Sequence, residues 1–358
     1  MDPRELARRP AVATLVVVVA MATVTGLWWP RHGAPAARAV TGATPTTIGS
    51  LPGDATTQAD LGSHLVFYTD PGMARVITAG GKVVADLGPW AGPGPSDRPV
   101  SFNGTVVFVH DGSAWVAVPP FTTAPQELGP ATHVFGTSDG RLALELGHRP
   151  GPVTVVMHAP QGSVIGAPIN LPVGTEAVAG LRDGLLLDLG GGGLELFDPG
   201  AGTVVSTIGA VQAVIDTSGN AVAWTDARRC DQFHSCELHV TDMGSGSDDR
   251  VPLPAGFSGF AAGGAFSPDG TKLAAFVRAQ DGSVHAAVVD LDTDGIALLQ
   301  PSVDASGGSQ QRVAAAWTAD GAWIFFGGPT GALYADRPDR TDVGVALPVA
   351  GSLTFTVL

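Results

Sequence analysis

The sequence is poor in lysine, in cysteine and in charge overall, and each shortage excludes a class of protein. Only two of its 19 basic residues are lysines, and acidic residues outnumber basic ones to give a formal net charge of −14. We therefore expect no nucleic-acid partner, because phosphate backbones are bound by basic patches. The two cysteines are too few for the disulfide framework of a small secreted scaffold.

Helical periodicity is missing after Trp29, and the composition favours β-structure instead. Glycine and proline are abundant, at 49 and 28 residues, and valine and threonine are common. A parallel α/β fold is disfavoured, because its crossovers need helices with a clear 3.6-residue period. With 358 residues, 44% of them hydrophobic, the chain can bury a large core.

One long apolar run lies near the N-terminus. Residues 11–29, "AVATLVVVVAMATVTGLWW", are uncharged and nearly cross a hydrocarbon core of about 30 Å as a helix. Arginines precede this run, so the positive-inside rule keeps residues 1–10 as a short cytoplasmic tail. We predict a transmembrane signal-anchor at 11–29 and a flexible tether at 30–58, with everything beyond the anchor outside the cytoplasm.

A cleaved signal peptide is the alternative interpretation of this segment. Both "APA" at 34–36 and "ARA" at 37–39 fit a small-x-small cleavage site. The apolar run exceeds the roughly 7 to 15 residues usual in a signal peptide, which favours the anchor. Arg8 and Arg9 resemble a twin-arginine signal, but Pro10 follows and no Phe-Leu pair comes after it. A lipoprotein is excluded because no cysteine lies near the segment.

The two cysteines, Cys230 and Cys236, lie close together in "RRCDQFHSCELHV". In an exported protein such a pair predicts a disulfide that closes a short loop. A zinc site with His234 and His239 is the alternative, but the alternation of "CELHV" points Cys236 and His239 to opposite faces of a strand. We therefore expect no metal and no other cofactor.

Seven glycines mark turns that are each followed by a strand-like apolar run. Their spacings of 35 to 51 residues suit four-stranded propeller blades. Aspartate or asparagine at such a turn bonds its own backbone, and glycine takes the positive φ of a tight hairpin. The seven are Gly62, Gly104, Gly140, Gly184, Gly219, Gly270 and Gly321.

Two copies of the turn carry a family resemblance. "AFSPDGTKLAAF" (265–276) resembles the Ser-Pro-Asp-Gly signature of TolB-like, WD-repeat-like propellers, and "AWTADGAWIFFG" (316–327) is a looser copy. The resemblance implies an all-β, seven-bladed β-propeller over residues 59–358, with six or eight blades as alternatives. It also implies that the turn residues join innermost strands to their neighbours; these residues are Ser267, Pro268, Asp269, Gly270, Asp320 and Gly321. The excess of arginine over lysine resembles proteins of actinomycetes.

The first blade lacks an apolar inner strand of its own. The stretch before Gly62, "GDATTQAD", is too polar for one, whereas the apolar segment 352–358, "SLTFTVL", belongs to no blade. We predict that this segment supplies the missing strand and closes the ring.

Local motifs for catalysis or ion binding all fit hairpin turns better. "GTSDG" (136–140) lacks the helix that follows a nucleophile elbow, and "DLDTDG" (290–295) has Pro301 where a calcium loop needs glutamate. "GGGG" (190–193) opens no helix that could hold a phosphate.

We expect the tryptophans to pack between blades. Four histidines near strand ends could gather at a channel mouth: His64, His110, His133 and His148.

The sequence therefore predicts a non-catalytic, membrane-anchored propeller that binds a protein or glycan of the cell envelope. The candidate partner-facing loop is the one that the disulfide would preorganise, containing Asp231, Gln232, Phe233 and His234. A hydrolase or lactonase-like enzyme, with acidic residues and histidines converging in the central channel, is the alternative.

Overall fold

The computed structural model describes residues 61, 64–70, 72–90, 99–102, 104–159, 162–230, 236–299, 313–327, 332–338, 340–350 and 354–358. These residues form 28 strands and one 3₁₀ turn, Ala227–Arg229. The strands make seven four-stranded antiparallel sheets, so the predicted all-β, seven-bladed propeller is confirmed. The predicted tail, anchor and tether lie outside the described residues, and within that described part no helix is long and apolar enough to span a membrane.

Each sheet is one blade, and six of the seven blades use four consecutive strands. Blade 1 consists of β28 (Thr354–Val357), β1 (Leu65–Asp70), β2 (Gly72–Thr78) and β3 (Val83–Trp90). Blade 2 consists of β4 (Val100–Phe102), β5 (Thr105–His110), β6 (Ser113–Ala117) and β7 (Gln126–Pro130). Blade 3 consists of β8 (His133–Gly136), β9 (Leu142–Leu146), β10 (Thr154–His158) and β11 (Val164–Asn170).

The remaining four blades repeat this order. Blade 4 consists of β12 (Glu176–Leu181), β13 (Gly184–Asp188), β14 (Leu194–Asp198) and β15 (Thr203–Ile208), and blade 5 of β16 (Val211–Ser218), β17 (Ala221–Asp226), β18 (Glu237–Asp242) and β19 (Asp248–Arg250). Blade 6 consists of β20 (Phe257–Phe266), β21 (Lys272–Ala279), β22 (Val284–Asp290) and β23 (Gly295–Leu298), and blade 7 of β24 (Ala314–Trp317), β25 (Ile324–Gly327), β26 (Ala332–Arg337) and β27 (Arg340–Ala350).

The first strands of the blades form a closed inner ring. Each one contacts the first strand of the next blade, and the cycle continues from β24 to β28 and from β28 to β4. Strand β28 enters blade 1 by antiparallel pairing with β1, with Phe355 opposite Tyr68 and Val357 opposite Val66. The neighbouring strands β28 and β1 therefore begin 289 residues apart in sequence, at Thr354 and Leu65.

The core is divided into seven buried clusters, one between each pair of neighbouring blades. Tryptophans lie in several of them, as the sequence predicted. Trp115 packs between blades 1 and 2, Trp224 between blades 4 and 5, and Trp323 between blades 7 and 1. This distribution means that removing any one blade interface exposes apolar surface on two sheets.

Six of the seven predicted glycine turns lie between the first and second strands of a blade, and Gly62 lies outside the described residues. In blade 6 the Ser267 hydroxyl donates to Asp269 Oδ1 at 2.6 Å and accepts the N–H of Lys272 at 2.9 Å. Thr318 repeats both bonds in blade 7, with Asp320 and Trp323. Gly270 takes a φ of +74° beside Asp269, which is the conformation that glycine favours.

Gly263, in the first strand of blade 6, lies close to the backbone that leads into the first strand of blade 7. Its φ is +127°, and a Cβ placed there would lie 2.2 Å from the backbone oxygen of Val313. We expect Gly263→Ala to lower the free energy of unfolding by about 2 kcal/mol, because the strand must shift to relieve the clash. Chemical denaturation measures this, with Gly209→Ala as the control, since a Cβ at Gly209 meets no atom within 4 Å. Equal losses in the two variants would contradict the prediction.

Candidate functional site

The ring encloses a central channel of about 1500 Å³. First strands of blades 2 to 6 contribute its described wall, which includes half-buried valines such as Val100, Val178 and Val214. We call the side of the ring on which the first strands begin and the second strands end the loop face. The opposite side, which carries the glycine turns, is the turn face.

Polar side chains of blades 3 and 4 line the loop-face mouth of the channel. Strand pairing brings two of them opposite each other within each blade: His133 faces Glu145 across β8 and β9, and Glu176 faces Asp188 across β12 and β13. His148, in the connection from β9 to β10, also lines the channel. First strands begin and second strands end at this mouth, so residues distant in sequence meet there.

Arg149 ties blade 3 to blade 4 at this mouth. Its backbone N–H donates to Glu176 Oε1 at 2.9 Å, and its Nη2 lies 2.9 Å from Glu176 Oε2. The same Nη2 is 3.1 Å from Asp188 Oδ2, and Nη1 donates to the Asp188 backbone oxygen at 3.2 Å. The guanidinium of Arg149 therefore pairs with two carboxylates, and its charge-assisted hydrogen bonds fix the positions of both.

Glu145 is the most buried acid of the mouth, with 3% of its surface exposed. Its Oε2 accepts the backbone N–H of Ala177 at 2.5 Å. Burial raises its pKa, the Ala177 bond lowers it, the charge of Glu176 raises it and Arg149 lowers it; the outcome is a pKa of about 7. Glu145 therefore changes its charge near neutral pH, in a wall of the channel.

The disulfide lies on the same face, in the connection between β17 and β18 of blade 5. Cys230 and Cys236 are bonded, so the predicted disulfide is confirmed and the zinc alternative is wrong.

Asp226 ends the strand that leads to the disulfide. Burial acts to raise the pKa of Asp226, but hydrogen bonds from Arg228 outweigh this effect and lower that pKa. Asp226 thereby caps the 3₁₀ turn before Cys230.

The candidate partner-facing residues Asp231, Gln232, Phe233 and His234 lie outside the described residues. The two ends of the loop that contains them are described. On the loop face, these ends lie next to the strand connections of the preceding blades. Arg149 links the connection of blade 3 to blade 4, the Gly192 oxygen accepts the N–H of Val211, and Ala227 donates to Ala210. The connections of blades 3, 4 and 5 are therefore neighbours around the channel mouth.

The predicted turn residues lie on the turn face. Ser267 and Pro268 also line that end of the channel. Hydrogen bonds from the Ser267 hydroxyl, and from the backbone and hydroxyl of Thr271, hold the pKa of Asp269 at about 2. Asp320 has a lowered pKa for the same reason, with Thr318 and Ala322 as donors. These carboxylates hold the turns in shape.

Of the four histidines expected near a channel mouth, the structure places His133 and His148 in the lining of the channel. His110 instead lies 3.4 Å from Asp111 at the end of β5. The motifs "GTSDG", "GGGG" and "DLDTDG" all form connections between adjacent strands, as the sequence indicated. Among the described residues, no group of three or more His, Cys, Asp or Glu is placed to hold a metal ion.

No protein-family model and no curated protein matches the chain. Among solved structures, the chain is similar to Hsv2 of Kluyveromyces lactis with its complete loop 6CD, at 13% identity and a TM-score of 0.48, covering 68% of this chain and 74% of that one. The Hsv2 form with loop 6CD replaced by a Gly-Ser linker gives 14% identity and a TM-score of 0.48, covering 71% and 83%. At this distance the likeness concerns the propeller fold and carries no argument about function.

Proposed function

We propose that the protein is a membrane-anchored, extracytoplasmic propeller that binds a protein or glycan of the cell envelope at its loop face, without catalysis. One observation carries the proposal: blades 3 to 5 place an open channel mouth, a fixed set of polar groups and a disulfide-closed connection side by side. Such a surface is concave, polar at its rim and apolar deeper in, as binding sites usually are.

The polar groups of the mouth are preorganised for recognition. Arg149 already engages Glu176 and Asp188, so a partner meets side chains whose positions are set before it arrives. Preorganisation lowers the entropic cost of association, and the disulfide gives the same advantage to the blade 5 connection. The proposed anchor is the apolar run 11–29, which would hold this surface near the membrane.

A channel enzyme is the second candidate, and Glu145 favours it. A general acid works best with a pKa near the operating pH, and Glu145 meets this condition inside the channel. The other two carboxylates of the mouth, Glu176 and Asp188, are bound by Arg149 and are therefore poorly placed to act as a base. Binding without catalysis is the function that this arrangement supports best.

We expect the full chain in detergent micelles to bind purified peptidoglycan or an isolated envelope protein fraction through the loop face. The double variant Arg149→Gln, Glu176→Gln should weaken this binding at least tenfold, because it removes the groups that fix the rim. Replacing Asp231, Gln232 and Phe233 by alanine should weaken it as well. Co-sedimentation measures both effects.

The matched control is Arg182→Gln, because Arg182 lines the opposite end of the same channel. This variant should bind as the native protein does. Loss of binding in the Arg182 variant alone would place the surface on the turn face. Unchanged binding in all variants would contradict a loop-face site, and turnover of an ester or lactone that Glu145→Gln abolishes would favour the enzyme.

A further inference from the structure

Four consecutive glycines, residues 190–193, connect β13 to β14 on the loop face. The connection closes as a hairpin, because the Leu189 N–H donates to the Gly193 oxygen at 3.0 Å. A hairpin tip needs glycine only where the turn takes a positive φ. Two of these glycines also leave room for atoms outside the hairpin, which indicates a second role for the segment.

Gly190 lies against the guanidinium of Arg149. A Cβ placed on Gly190 would overlap Arg149 Nη1 and lie 3.0 Å from its Cζ. The guanidinium is held there because Nη1 donates to the Asp188 backbone oxygen at 3.2 Å and Nη2 donates to Asp188 Oδ2 at 3.1 Å. The other carboxylate oxygen of Asp188 accepts the Gly190 N–H at 2.7 Å. These three residues therefore pack as one unit, with no room for a side chain at position 190.

Gly192 contacts the neighbour on the opposite side, the first strand of blade 5. Its oxygen accepts the Val211 N–H at 2.5 Å, and a Cβ placed on Gly192 would lie 3.1 Å from the Val211 oxygen. The preceding residue of that strand, Ala210, accepts the N–H of Ala227, which begins the 3₁₀ turn before the disulfide. The segment is therefore bound to blade 3 at Gly190 and to blade 5 at Gly192.

Gly191 lies between these two positions and lacks such contacts. A Cβ placed on it would meet no atom of the described residues within 4 Å. Its φ also lies outside the range that disfavours side chains, whereas Gly190 and Gly192 have φ values of +70° and +79°. The neighbouring blades, as well as the turn itself, therefore require glycine at two specific positions of the segment.

We propose that Gly190 and Gly192 are positioning residues of the loop-face binding site. Gly190 seats the guanidinium of Arg149 on Asp188 and Glu176, and Gly192 fixes the segment on blade 5, beside the connection that the disulfide closes. The parts of the site on blade 3 and on blade 5 are thereby held in one arrangement. This inference rests on the proposed function and adds the residues that align its two parts.

A methyl group at position 190 should displace the arginine side chain rather than the backbone. Nη1 stands at the far end of a flexible side chain, so it can move aside, but only by giving up its charge-assisted hydrogen bonds to Asp188. The ion pair of the same guanidinium with Glu176 is lost with them. The fold should therefore survive the substitution, whereas the arrangement of the rim should not.

The first test needs no ligand and measures whether the cost of Gly190→Ala depends on Arg149. Urea denaturation of the full chain in micelles compares this substitution in the native background and in Arg149→Ala. We expect Gly190→Ala to lower the equilibrium constant of folding about tenfold more than Gly174→Ala does in the native background. Gly174 is the matched control, because its φ is +87° but a Cβ there would meet no described atom within 4 Å. In the Arg149→Ala background the two substitutions should cost the same, and a cost of Gly190→Ala that is independent of Arg149 would overturn the proposal.

Amide hydrogen exchange tests the link to blade 5. Gly192→Ala should raise the exchange rates of the Val211 and Ala227 amides about tenfold, because it disturbs the bonds that hold them. Gly191→Ala is the control in the same segment and should leave both rates unchanged. Unchanged rates in Gly192→Ala, or an equal increase in Gly191→Ala, would overturn this link.

Binding to purified peptidoglycan or to the isolated envelope protein fraction separates the inference from the proposed function. Gly190→Ala should weaken this binding as much as Arg149→Gln does, and Gly191→Ala should bind as the native protein does. Binding that is weakened by Arg149→Gln but not by Gly190→Ala would overturn the inference and leave the binding propeller standing. Dependence of Gly190→Ala on Arg149 in unfolding, with no effect of either residue on binding, would uphold the seat of Arg149 and contradict the proposed function.

Discussion

Removal of residues 354–358 is expected to abolish the cooperative unfolding of the propeller. These residues supply the first strand of blade 1, and Phe355 and Val357 are 8% and 5% exposed in the cluster between blades 7 and 1. The backbone N–H of Leu358 also donates to the Leu65 oxygen at 2.9 Å. Losing the two side chains alone removes about 4 kcal/mol of apolar burial, and the exposed edge of β1 adds to the cost.

That loss is comparable with the total stability of many domains, about 5 to 15 kcal/mol, so the truncated chain should have no sharp thermal transition. Calorimetry of the truncated and full chains measures the sharpness of the thermal transition. Thr356→Ala is the control, because Thr356 lies on the same strand with its side chain only half buried, and its transition should stay cooperative. A synthetic peptide of the strand, added to the truncated chain, should restore part of the transition. An unchanged melting curve after truncation would contradict the closed ring.

Glu145 should make the stability of the protein depend on pH. Its pKa in the folded protein, about 7, lies above the value of 4.5 expected for an unfolded chain. A raised pKa means that the stabilising contribution is complete below pH 4.5 and is lost as the pH rises to 7. The free energy of unfolding should therefore fall by about 3 kcal/mol across this range on account of this one group.

Glu145→Gln isolates the contribution of this one carboxyl group. We expect the variant and the native protein to be about equally stable at pH 4.5, and the variant to be more stable by about 3 kcal/mol at pH 8. Urea denaturation at several pH values measures the difference. Glu127→Gln is the control, because it makes the same acid-to-amide change at an exposed position on β7. A constant offset of Glu145→Gln at every pH would contradict the assignment.

The fold was predictable because its signals are local. Gly270 and Gly321 follow aspartate between two apolar runs, and a hairpin is the conformation that such a sequence favours. Phe355 lies in an apolar run that no blade could use, which points to a role elsewhere in the ring. In both cases the decisive pattern lies within about a dozen residues.

The channel mouth was not predictable in the same way. Glu145 stands at the end of an alternating strand, "RLALEL", where a single acid in an apolar run was the only local signal. Its relation to His133 depends on strand register, and its relation to Glu176 depends on the packing of two blades. Arg149 likewise acquires its role only when blades 3 and 4 come together. Such sites are assembled by tertiary structure from residues that carry no shared motif.

The pairing of β28 with β1 also sets the order in which the molecule can mature. While the chain is being synthesised, blade 1 has three strands and waits for residues 354–357 to emerge. Until then Val66 and Phe67 lie on an edge of β1 that has no pairing strand. Closure of the ring is thus coupled to translation of the segment that forms β28.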